Sequence, residues 1–525
     1  MTSFALSAQV RFALIASFGG FVFGFDASVI SGALGFITTQ FSLSEWQQGM
    51  LVSSPTLGAI IASFFAGFLS DHFGRRNSLI GAAGLYLVSA FLSFSANSYE
   101  MLVFARFIGG LAFCSLLITP MYIAEISLPQ SRGKLVSINQ LSIVVGLSVS
   151  YFSNYFLLNI SERASGKLLL IEHQVDVWRA MLGLELFPAF LWLIGLFFIP
   201  KSPRWLLLKQ AKQEAKHVLD KLYTKQQARE LLSEMDHIPA QFSSVLSRLS
   251  TLFAKKHRFI LMMGLLLAIA QQISGINVIF FYAPVIFEQS GIGTNSAFAQ
   301  AAWIGVINVL FTFVAIVTID HFGRKPLLII GMTGVCVSML LCSYGFNQAR
   351  YELKQTHIET LATRYQAISE DDLSQLRDVS FNSDTAFKAA LVDRLGQTNA
   401  QQVQSDALSL ATEINALLIL FGIMLFVASF AMSLGPVMWV FFSEIFPSEI
   451  RGIGISFLAL INGLVSFLVQ LVFPWELANL GAAITFLIYG VISLVALVTV
   501  TKYLPETKGQ SLEKRLSNSS TLVSK

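Results

Sequence analysis

An acidic and a basic residue interrupt two strongly apolar stretches of this 525-residue chain. Asp26 lies in Gly24-Phe-Asp-Ala-Ser-Val-Ile30, and Arg106 lies near the start of the apolar run 101–123. An ionised carboxylate in an apolar environment is costly in free energy, so the carboxyl group must be paired, hydrated or neutral. Burial favours the neutral carboxyl group, whereas an adjacent guanidinium favours the charged one. A pair that separates and re-forms would take up and release a proton, and a permanent pair would hold two helices together. The residues leave both interpretations open.

Polar side chains also interrupt an apolar run around Gly275. They are Gln271, Gln272, Ser274 and Asn277. Amides cannot face lipid without leaving donors and acceptors unpaired, so they must face other helices or a wet cavity. Each hydroxyl group of a sugar is both a donor and an acceptor, and amides offer both roles. The pattern therefore predicts either a sugar site or hydrogen bonds that hold the helices together.

A tryptophan, Trp439, follows the pair Gly435-Pro436 in a third apolar run. This pair is expected to bend or break a helix, which could then act as a hinge. An indole can cover the apolar face of a pyranose while its N–H group donates one hydrogen bond. The alternative is a tryptophan at the membrane interface. We predict that Trp439 stacks on a sugar.

The composition places these residues in a membrane protein. Hydrophobic residues make up 54% of the chain and charged residues 13%, about half the charged fraction of a soluble globular protein. The charges concentrate in segments 201–257 and 347–413. This composition excludes an ordinary soluble enzyme, a disordered chain and a nucleic-acid-binding protein.

Twelve apolar runs are long enough to span a bilayer as helices, each of which needs about 20 residues. They lie near 10–36, 47–70, 78–97, 101–123, 133–158, 178–199, 259–287, 298–319, 326–346, 414–442, 453–474 and 479–503. Basic residues in the short loops place both termini in the cytoplasm. Cys114, Cys336 and Cys342 all fall inside predicted spans, so no disulfide framework is expected.

Two motifs recur and divide the chain into halves. Asp71-His-Phe-Gly-Arg-Arg76 returns as Asp320-His-Phe-Gly-Arg-Lys325, and Glu125 with Arg132-Gly133 returns as Glu444 with Arg451-Gly452. The predicted fold is an all-α membrane protein whose twelve helices form two six-helix halves joined by a cytoplasmic helical linker. Rocking of two such halves about a central site is a transporter architecture. The predicted domains are a bundle over 1–200, the linker over 201–257, a bundle over 258–510 and a cytoplasmic tail over 511–525.

Two polar segments complete the architecture. The linker carries apolar residues at helical spacing and is predicted to form short amphipathic helices: Leu206, Leu207, Leu219, Leu222, Leu231 and Leu232. The 347–413 segment is predicted to be an extracytoplasmic helical insertion between spans nine and ten, with no function assigned.

The chain resembles the sugar porter family of the major facilitator superfamily along its whole length. The first motifs are Gly67-Phe-Leu-Ser-Asp-His-Phe-Gly-Arg-Arg76, Arg106-Phe-Ile-Gly-Gly110, Pro120-Met-Tyr-Ile-Ala-Glu125 and Pro200-Lys-Ser-Pro-Arg-Trp205. The later ones are Gln271-Gln-Ile-Ser-Gly-Ile-Asn277, Gly435-Pro-Val-Met-Trp439, Ser443-Glu-Ile-Phe-Pro447 and Pro505-Glu-Thr-Lys-Gly509. Eight motifs in order are specific, and they are most similar to those of bacterial proton-coupled xylose and hexose symporters.

The resemblance implies roles for individual residues. Asp26 is similar to the proton site of the symporters, which passive human glucose carriers lack. The residues that match or lie at sugar-binding positions are Gln140, Gln271, Gln272, Asn277, Asn308, Trp439 and Asn462. The chain also departs from the family pattern: Phe281 stands where a Tyr is usual, and Asn462-Gly463 stands where relatives carry a polar residue followed by Trp. These departures leave the preferred sugar open.

The repeated motifs supply two sets of charges that we expect at the cytoplasmic ends of the helices. The first comprises Asp71, Arg75, Arg76, Glu125 and Arg132, and the second comprises Asp320, Arg324, Lys325, Glu444 and Arg451. Positive-inside anchoring accounts for part of this pattern, but it does not require the acids. Ion pairs between these residues would form a cytoplasmic gate, and since exposed pairs contribute only about 0–1 kcal/mol each, a network is needed.

These features predict a transporter that imports a pentose or hexose by proton symport with alternating access. The chain carries no metal-ligand cluster, nucleophile–base set or phosphate loop, so we expect neither an enzyme nor a cofactor or metal. Its expected partners are a sugar, a proton and the lipid bilayer, with no nucleic acid, and it is expected to act as a monomer in the inner or plasma membrane. The alternatives are a facilitative uniporter with a structural Asp26–Arg106 pair and a sugar sensor that does not transport.

Overall fold

The structure is a computed structural model that describes residues 2–128, 131–163, 167–170, 173–224, 226–228, 250–365, 368–447 and 450–506. Within these ranges, twelve helical segments are long and apolar enough to cross a membrane. The predicted twelve-span, helical architecture is confirmed.

Eight helices form the first six spans. Proline accounts for the interruption of span six, because Pro188 has no N–H group to donate to the carbonyl of Leu184. Spans four and six each consist of two consecutive helices, and the others are single helices. The helices are α1 (Thr2–Phe41), α2 (Glu45–Phe73), α3 (Arg75–Ser95), α4 (Tyr99–Ala112), α5 (Ser115–Glu125), α6 (Arg132–Arg163), α7 (Val177–Gly183) and α8 (Leu186–Leu196).

The last six spans contain further interruptions. Span seven consists of a single-turn 3₁₀ helix (Lys255–His257) followed by α11 (Arg258–Ile273), α12 (Ile276–Phe281) and α13 (Ala283–Glu288). Span ten consists of α19 (Ala416–Met432) and α20 (Leu434–Ile445). The remaining spans are α14 (Thr294–Phe322), α15 (Arg324–Asn347), α21 (Arg451–Asn479) and α22 (Gly481–Tyr503).

The linker begins with two short helices, α9 (Pro203–Leu208) and α10 (Lys212–Leu222). Leu206, Leu219 and Leu222 are buried, as expected for amphipathic helices. Leu207 is half-buried. The last two predicted apolar positions of the linker, Leu231 and Leu232, and the tail 511–525 lie outside the described residues.

The polar segment between spans nine and ten folds around its own core. It contains α16 (Gln355–Arg364), α17 (Glu370–Ser374) and α18 (Asp384–Ala411), and also three short strands, β3 (Arg350–Glu352), β4 (Ser380–Phe381) and β5 (Thr412–Glu413). The antiparallel strand order is β4-β3-β5. Tyr351, Leu361, Phe387 and Val403 are among the buried residues of this core. The predicted helices are therefore present, and the strands, which are too short to show a clear alternation in sequence, are an addition.

A second pair of strands lies between spans five and six. β1 (Lys167–Leu170) and β2 (His173–Asp176) pair antiparallel, with Lys167 opposite Asp176. Together with the strands of the polar segment, these are the strands of the described chain, and all of them lie outside the spans.

The described residues group into two compact units. The first contains the described residues within 1–29, 54–150 and 167–243, and the second contains those within 30–53, 151–166 and 244–525. The predicted domain boundaries stay predictions.

Glycines allow the helices of the first unit to approach closely. A β-carbon on Gly24 of α1 would overlap the carbonyl oxygen of Ile143 on α6, and one on Gly146 of α6 would overlap the carbonyl oxygen of Phe21. Small residues at helix crossings are typical of membrane proteins, where close packing replaces the hydrophobic driving force. Since Gly24 is two residues from Asp26, this crossing also positions the buried acid.

We expect Gly24→Ala to destabilise the protein, because the added methyl group forces α1 away from α6. Overpacking of this kind costs about 1–3 kcal/mol. Melting of the purified protein in detergent, followed by intrinsic fluorescence, measures the effect. The matched control is Gly81→Ala on α3, where a β-carbon meets nothing within 4 Å; equal melting temperatures for the two variants would contradict the prediction.

Candidate functional site

Asp26 and Arg106 form a buried ion pair in the first unit. Asp26 lies on α1 and Arg106 on α4, and their side chains are 1% and 2% exposed. Arg106 Nη1 lies 2.5 Å from Asp26 Oδ1 and also donates to the main-chain oxygen of Asp26 at 3.0 Å. The structure thus brings together the two ionisable residues that the sequence singled out.

Glu185 is a third ionisable group of this centre, and the sequence analysis missed it. It lies where α7 passes into α8 and is 2% exposed, and the Asp26 carboxyl group and the Arg106 guanidinium are among its electrostatic neighbours. The signal was present, since Glu185 is an acid inside the apolar run 178–199. It is the same signal that identified Asp26.

The acid–base centre of Asp26, Arg106 and Glu185 is incompletely satisfied. Asp26 Oδ2, Glu185 Oε1 and Arg106 Nε are buried and have no hydrogen-bond partner among the described residues. With all three groups ionised the centre carries one net negative charge, which a medium of low polarity disfavours. Two adjacent carboxyl groups can bond to each other only if one of them carries a proton, so one bound proton both neutralises the centre and supplies a missing donor.

Gly109 leaves room beside this centre. A β-carbon at Gly109 would lie 2.6 Å from Ser89 Oγ and 3.6 Å from Asp26 Oδ2. Any larger residue at this position would therefore push α3 away or crowd the carboxyl group. The signature Arg106-Phe-Ile-Gly-Gly110 contains both the base and this glycine.

The second unit contains a network of amides on spans seven and eleven. Gln272 Nε2 donates to Asn462 Oδ1 at 3.0 Å, and Asn277 Nδ2 donates to Gln272 Oε1 at 2.9 Å. Asn462 Nδ2 donates to Gln271 Oε1 at 2.8 Å, and Asn277 Nδ2 donates to Ser466 Oγ at 2.7 Å. We call these five residues the amide network. Its bonds join helices, which is one of the two interpretations that the sequence left open.

The amide network reaches the interruptions of two spans. Gln271 Nε2 donates to the carbonyl oxygen of Leu434 at 3.1 Å, at the start of α20. Span seven is interrupted at Gly275, which adopts a left-handed conformation with φ of 90°. Gln271 and Gln272 lie before this interruption and Asn277 after it, so the network holds both sides together.

The other predicted sugar-binding residues are distributed over both units. Asn308 is buried on α14, and Trp439 on α20 is 44% exposed with its ring edge-to-face against Phe442. Gln140 is exposed on α6 in the first unit. The interruption of span ten lies at Ser433, two residues before Gly435-Pro436. Pro436 therefore lies in the first turn of α20, where its missing N–H group is tolerated.

The first predicted gate set is assembled around Arg75. The Arg75 side chain, 6% exposed, lies 2.9 Å from Asp71 and 3.0 Å from Glu125, and Ser202 donates to Glu125. Arg76 instead donates to the main-chain oxygens of Leu196 and Phe197. Arg132 is exposed.

The second set is assembled around Arg324. Arg324 lies 2.9 Å from Glu444, and its main-chain N–H and that of Lys325 donate to the Glu506 carboxylate. Glu506 belongs to the motif Pro505-Glu-Thr-Lys-Gly509, but it was not among the predicted gate residues. Arg451 Nε donates to the main-chain oxygen of Phe446 at 3.3 Å. The side chain of Asp320 lies outside the described residues.

Comparison with known proteins gives the family. The model of the family described as "Sugar (and other) transporter" matches residues 12–361 and 400–516. The chain belongs to this family. The unmatched residues 362–399 lie in the polar segment between spans nine and ten.

The relatives of this sugar transporter are themselves transporters, and they match it over nearly the whole length of both chains. The chain is 31% identical to the D-xylose-proton symporter of Escherichia coli K12 over 95% of its own length and 94% of the relative. It is 30% identical to the glucose transporter GlcP of Staphylococcus epidermidis over 95% of both chains. A solved structure of the xylose transporter XylE from E. coli, partially occluded and inward open, has a TM-score of 0.70 at 30% identity and covers 96% of this chain and 100% of its own.

The predictions of the sugar porter family, of the major facilitator fold and of a protein that is not an enzyme are confirmed. The chain is a twelve-span sugar transporter of the membrane. The roles of its individual residues stay predictions.

We expect Glu125→Ala to destabilise the sugar transporter much more than Asp71→Ala. Removing Glu125, whose side chain is 8% exposed, leaves the buried Arg75 without its buried partner. Breaking a buried pair costs about 3–5 kcal/mol. Asp71 is 68% exposed, and its pair with Arg75 contributes about 0–1 kcal/mol. Both variants leave Arg75 in place, so the difference between their melting-temperature shifts reports how much more the buried partner contributes than the exposed one. Equal shifts would contradict the prediction that Glu125 is the stabilising partner of Arg75.

Proposed function

We propose that this sugar transporter imports a monosaccharide, a pentose or a hexose, together with a proton by alternating access. The observation that carries the proposal is the buried acid–base centre of Asp26, Arg106 and Glu185. A transporter of uncharged sugars needs no titratable group in its interior, and ionisable residues inside membrane proteins are rare and usually functional. The similarity to a D-xylose-proton symporter supports the same conclusion.

The centre couples proton binding to conformation through the Asp26–Arg106 distance. While Arg106 lies beside Asp26, its positive charge stabilises the carboxylate and favours proton release. When the pair separates, the carboxylate loses its counter-ion in a medium of low polarity and binds a proton. Glu185 provides a second carboxyl group that can share this proton. Movement of α1 relative to α4 thereby changes the proton affinity of the site.

The amide network supplies the proposed sugar site of the second unit together with Asn308 and Trp439. Gln140 of the first unit stays a predicted sugar-binding residue. Each amide of the network bonds to another amide or hydroxyl group. A sugar hydroxyl, which both donates and accepts, can insert between two such partners and bond to both, so that no buried group is left unpaired. Exchange of partners lets the network bind sugar and then re-form after release. Trp439 is exposed enough to present its ring to the apolar face of a pyranose.

The two charge sets are proposed to act as the cytoplasmic gate. Arg75 joins the start of α3 to the end of α5, and Arg324 joins the start of α15 to the end of α20. We propose that the chain lies in the inner or plasma membrane with both termini in the cytoplasm. The proposed functional unit is a monomer. A shift of a few kcal/mol in such networks suffices to change which conformation is populated.

A facilitative uniporter is the second candidate. The Asp26–Arg106 pair is direct and fully buried, as a permanent structural pair would also be. Transport by such a protein would follow the sugar gradient alone.

We expect Asp26→Asn to abolish sugar accumulation driven by a pH gradient in proteoliposomes. The amide keeps the shape of the side chain but cannot exchange a proton. Sugar exchange between equal concentrations on both sides requires no net proton movement, so it should persist. A panel of radiolabelled pentoses and hexoses supplies the substrate for both assays.

The matched control is Asp371→Asn, which removes an exposed carboxylate in the polar segment between spans nine and ten. It should accumulate sugar as the wild type does. Accumulation by the Asp26→Asn protein, or a wild type that only equilibrates sugar, would favour the uniporter.

We expect Gln272→Ala to raise the dissociation constant of the transported sugar roughly tenfold, because one or two hydrogen bonds are lost. Isothermal titration of the purified protein measures it. Gln289→Ala is the control, since Gln289 is also buried near span seven but bonds to Lys388 outside the amide network. Unchanged affinity in Gln272→Ala would show that the network only holds helices together.

A further inference from the structure

Span seven turns at Gly275 between two groups of proposed sugar-binding amides. The φ of 90° at this residue is strained for any residue with a β-carbon. Gln272 lies three residues before the turn and Asn277 two residues after it. The backbone at Gly275 therefore sets the position of the Gln272 amide relative to the Asn277 amide.

The ring of Tyr489 on α22 lies against this turn. A β-carbon at Gly275 would be 3.1 Å from Tyr489 Cδ2 and 3.3 Å from Cε2. Tyr489 is 4% exposed. The turn thus has a positive φ and is packed against an aromatic ring, and both features require glycine.

Glu476 holds the hydroxyl group of this tyrosine. Tyr489 Oη donates to Glu476 Oε2 at 2.7 Å, one turn before α21 ends at Asn479. A hydrogen bond to a carboxylate is stronger than one between neutral groups. The same helix carries Asn462 and Ser466, which bond Gln272 and Asn277. Helix α21 therefore contacts the amides of span seven directly. It also contacts the turn at Gly275 indirectly, through Tyr489.

We propose that Glu476 and Tyr489 are positioning residues for sugar binding: the carboxylate fixes the tyrosine ring, and the ring fixes the turn at Gly275 that aligns the amides. The inference rests on the sugar-binding role proposed above for Gln272 and Asn277. A bond that merely ties span eleven to span twelve would affect stability and leave sugar affinity unchanged.

The experiment compares Tyr489→Phe, Glu476→Leu, Glu476→Gln and the double variant Tyr489→Phe/Glu476→Leu. Tyr489→Phe keeps the ring against Gly275 and removes only the hydroxyl group. Glu476→Gln keeps an oxygen that can accept the tyrosine hydrogen bond. Tyr344→Phe is the control, because Tyr344 is 59% exposed on α15. Sugar affinity is measured by titration, and KM and kcat are measured from exchange in proteoliposomes.

We expect Tyr489→Phe and Glu476→Leu each to raise the sugar dissociation constant and KM roughly fivefold. Each variant loses a charge-assisted hydrogen bond, and only part of that loss is transmitted to the sugar site. The value of kcat should stay near that of the wild type, because the variants weaken sugar binding equally in the initial complex and in the transition state of transport. Glu476→Gln should bind sugar more tightly than Glu476→Leu, because it keeps an acceptor for the tyrosine hydroxyl group, and Tyr344→Phe should bind sugar as the wild type does. The double variant should be no weaker than either single variant, since both remove one interaction.

Wild-type affinity in Tyr489→Phe would overturn the inference, as would additive losses in the double variant. A fall in melting temperature without a change in affinity would also overturn it and identify a tie between spans only. Gln272→Ala separates the two proposals. If that variant binds sugar normally, the proposed sugar site fails; if it binds weakly while Tyr489→Phe binds normally, only the positioning role fails.

Discussion

The bilayer offers no hydrogen bonds, so each polar group inside the spans must find its partner within the protein. The interrupted span seven shows how this constraint is met. Pro284 has no N–H group to donate to the carbonyl oxygen of Phe280, and Tyr151 Oη donates to that oxygen instead at 2.5 Å. Arg106 and the amide network satisfy their neighbours in the same way. Asp26 Oδ2 has no partner among the described residues, and it belongs to the carboxyl group that the proposed mechanism protonates during transport.

The two compact units use different chemistry to meet this constraint. The interior of the first unit holds ionisable groups, Asp26, Arg106 and Glu185, whose balance a single proton changes. The second holds neutral amides and hydroxyl groups on spans seven and eleven. Neutral groups can exchange hydrogen-bond partners without leaving an unpaired charge in an apolar environment, whereas ionised groups cannot. The proposed mechanism accordingly uses separate sets of residues for proton binding and for sugar binding.

The sequence predicted the twelve spans and the Asp26–Arg106 pair, because hydropathy and charge inside apolar runs are strong local signals. Glu185 carries the same signal, an acid inside an apolar run, but was not among the predicted site residues. Other features depend on tertiary contacts and have no local signal. Whether Gln272 bonds to Asn462 depends on how α11 meets α21, and the interruption of span ten at Ser433 depends on packing as well as on Pro436. The strands of the polar segment are two or three residues long, too short for a period of two to emerge.

The polar segment between spans nine and ten leaves and rejoins the bundle at adjacent points. Its entry strand β3 pairs with its exit strand β5, with Arg350 opposite Glu413, and its own buried core lies between them. Insertions are tolerated best where the two ends of the inserted segment lie close together and the segment forms a core of its own. Evolution can therefore add, remodel or delete such a cassette without disturbing the bundle, in agreement with the gap in the family match at 362–399. The same property makes it a natural place to graft a fiducial domain for electron microscopy.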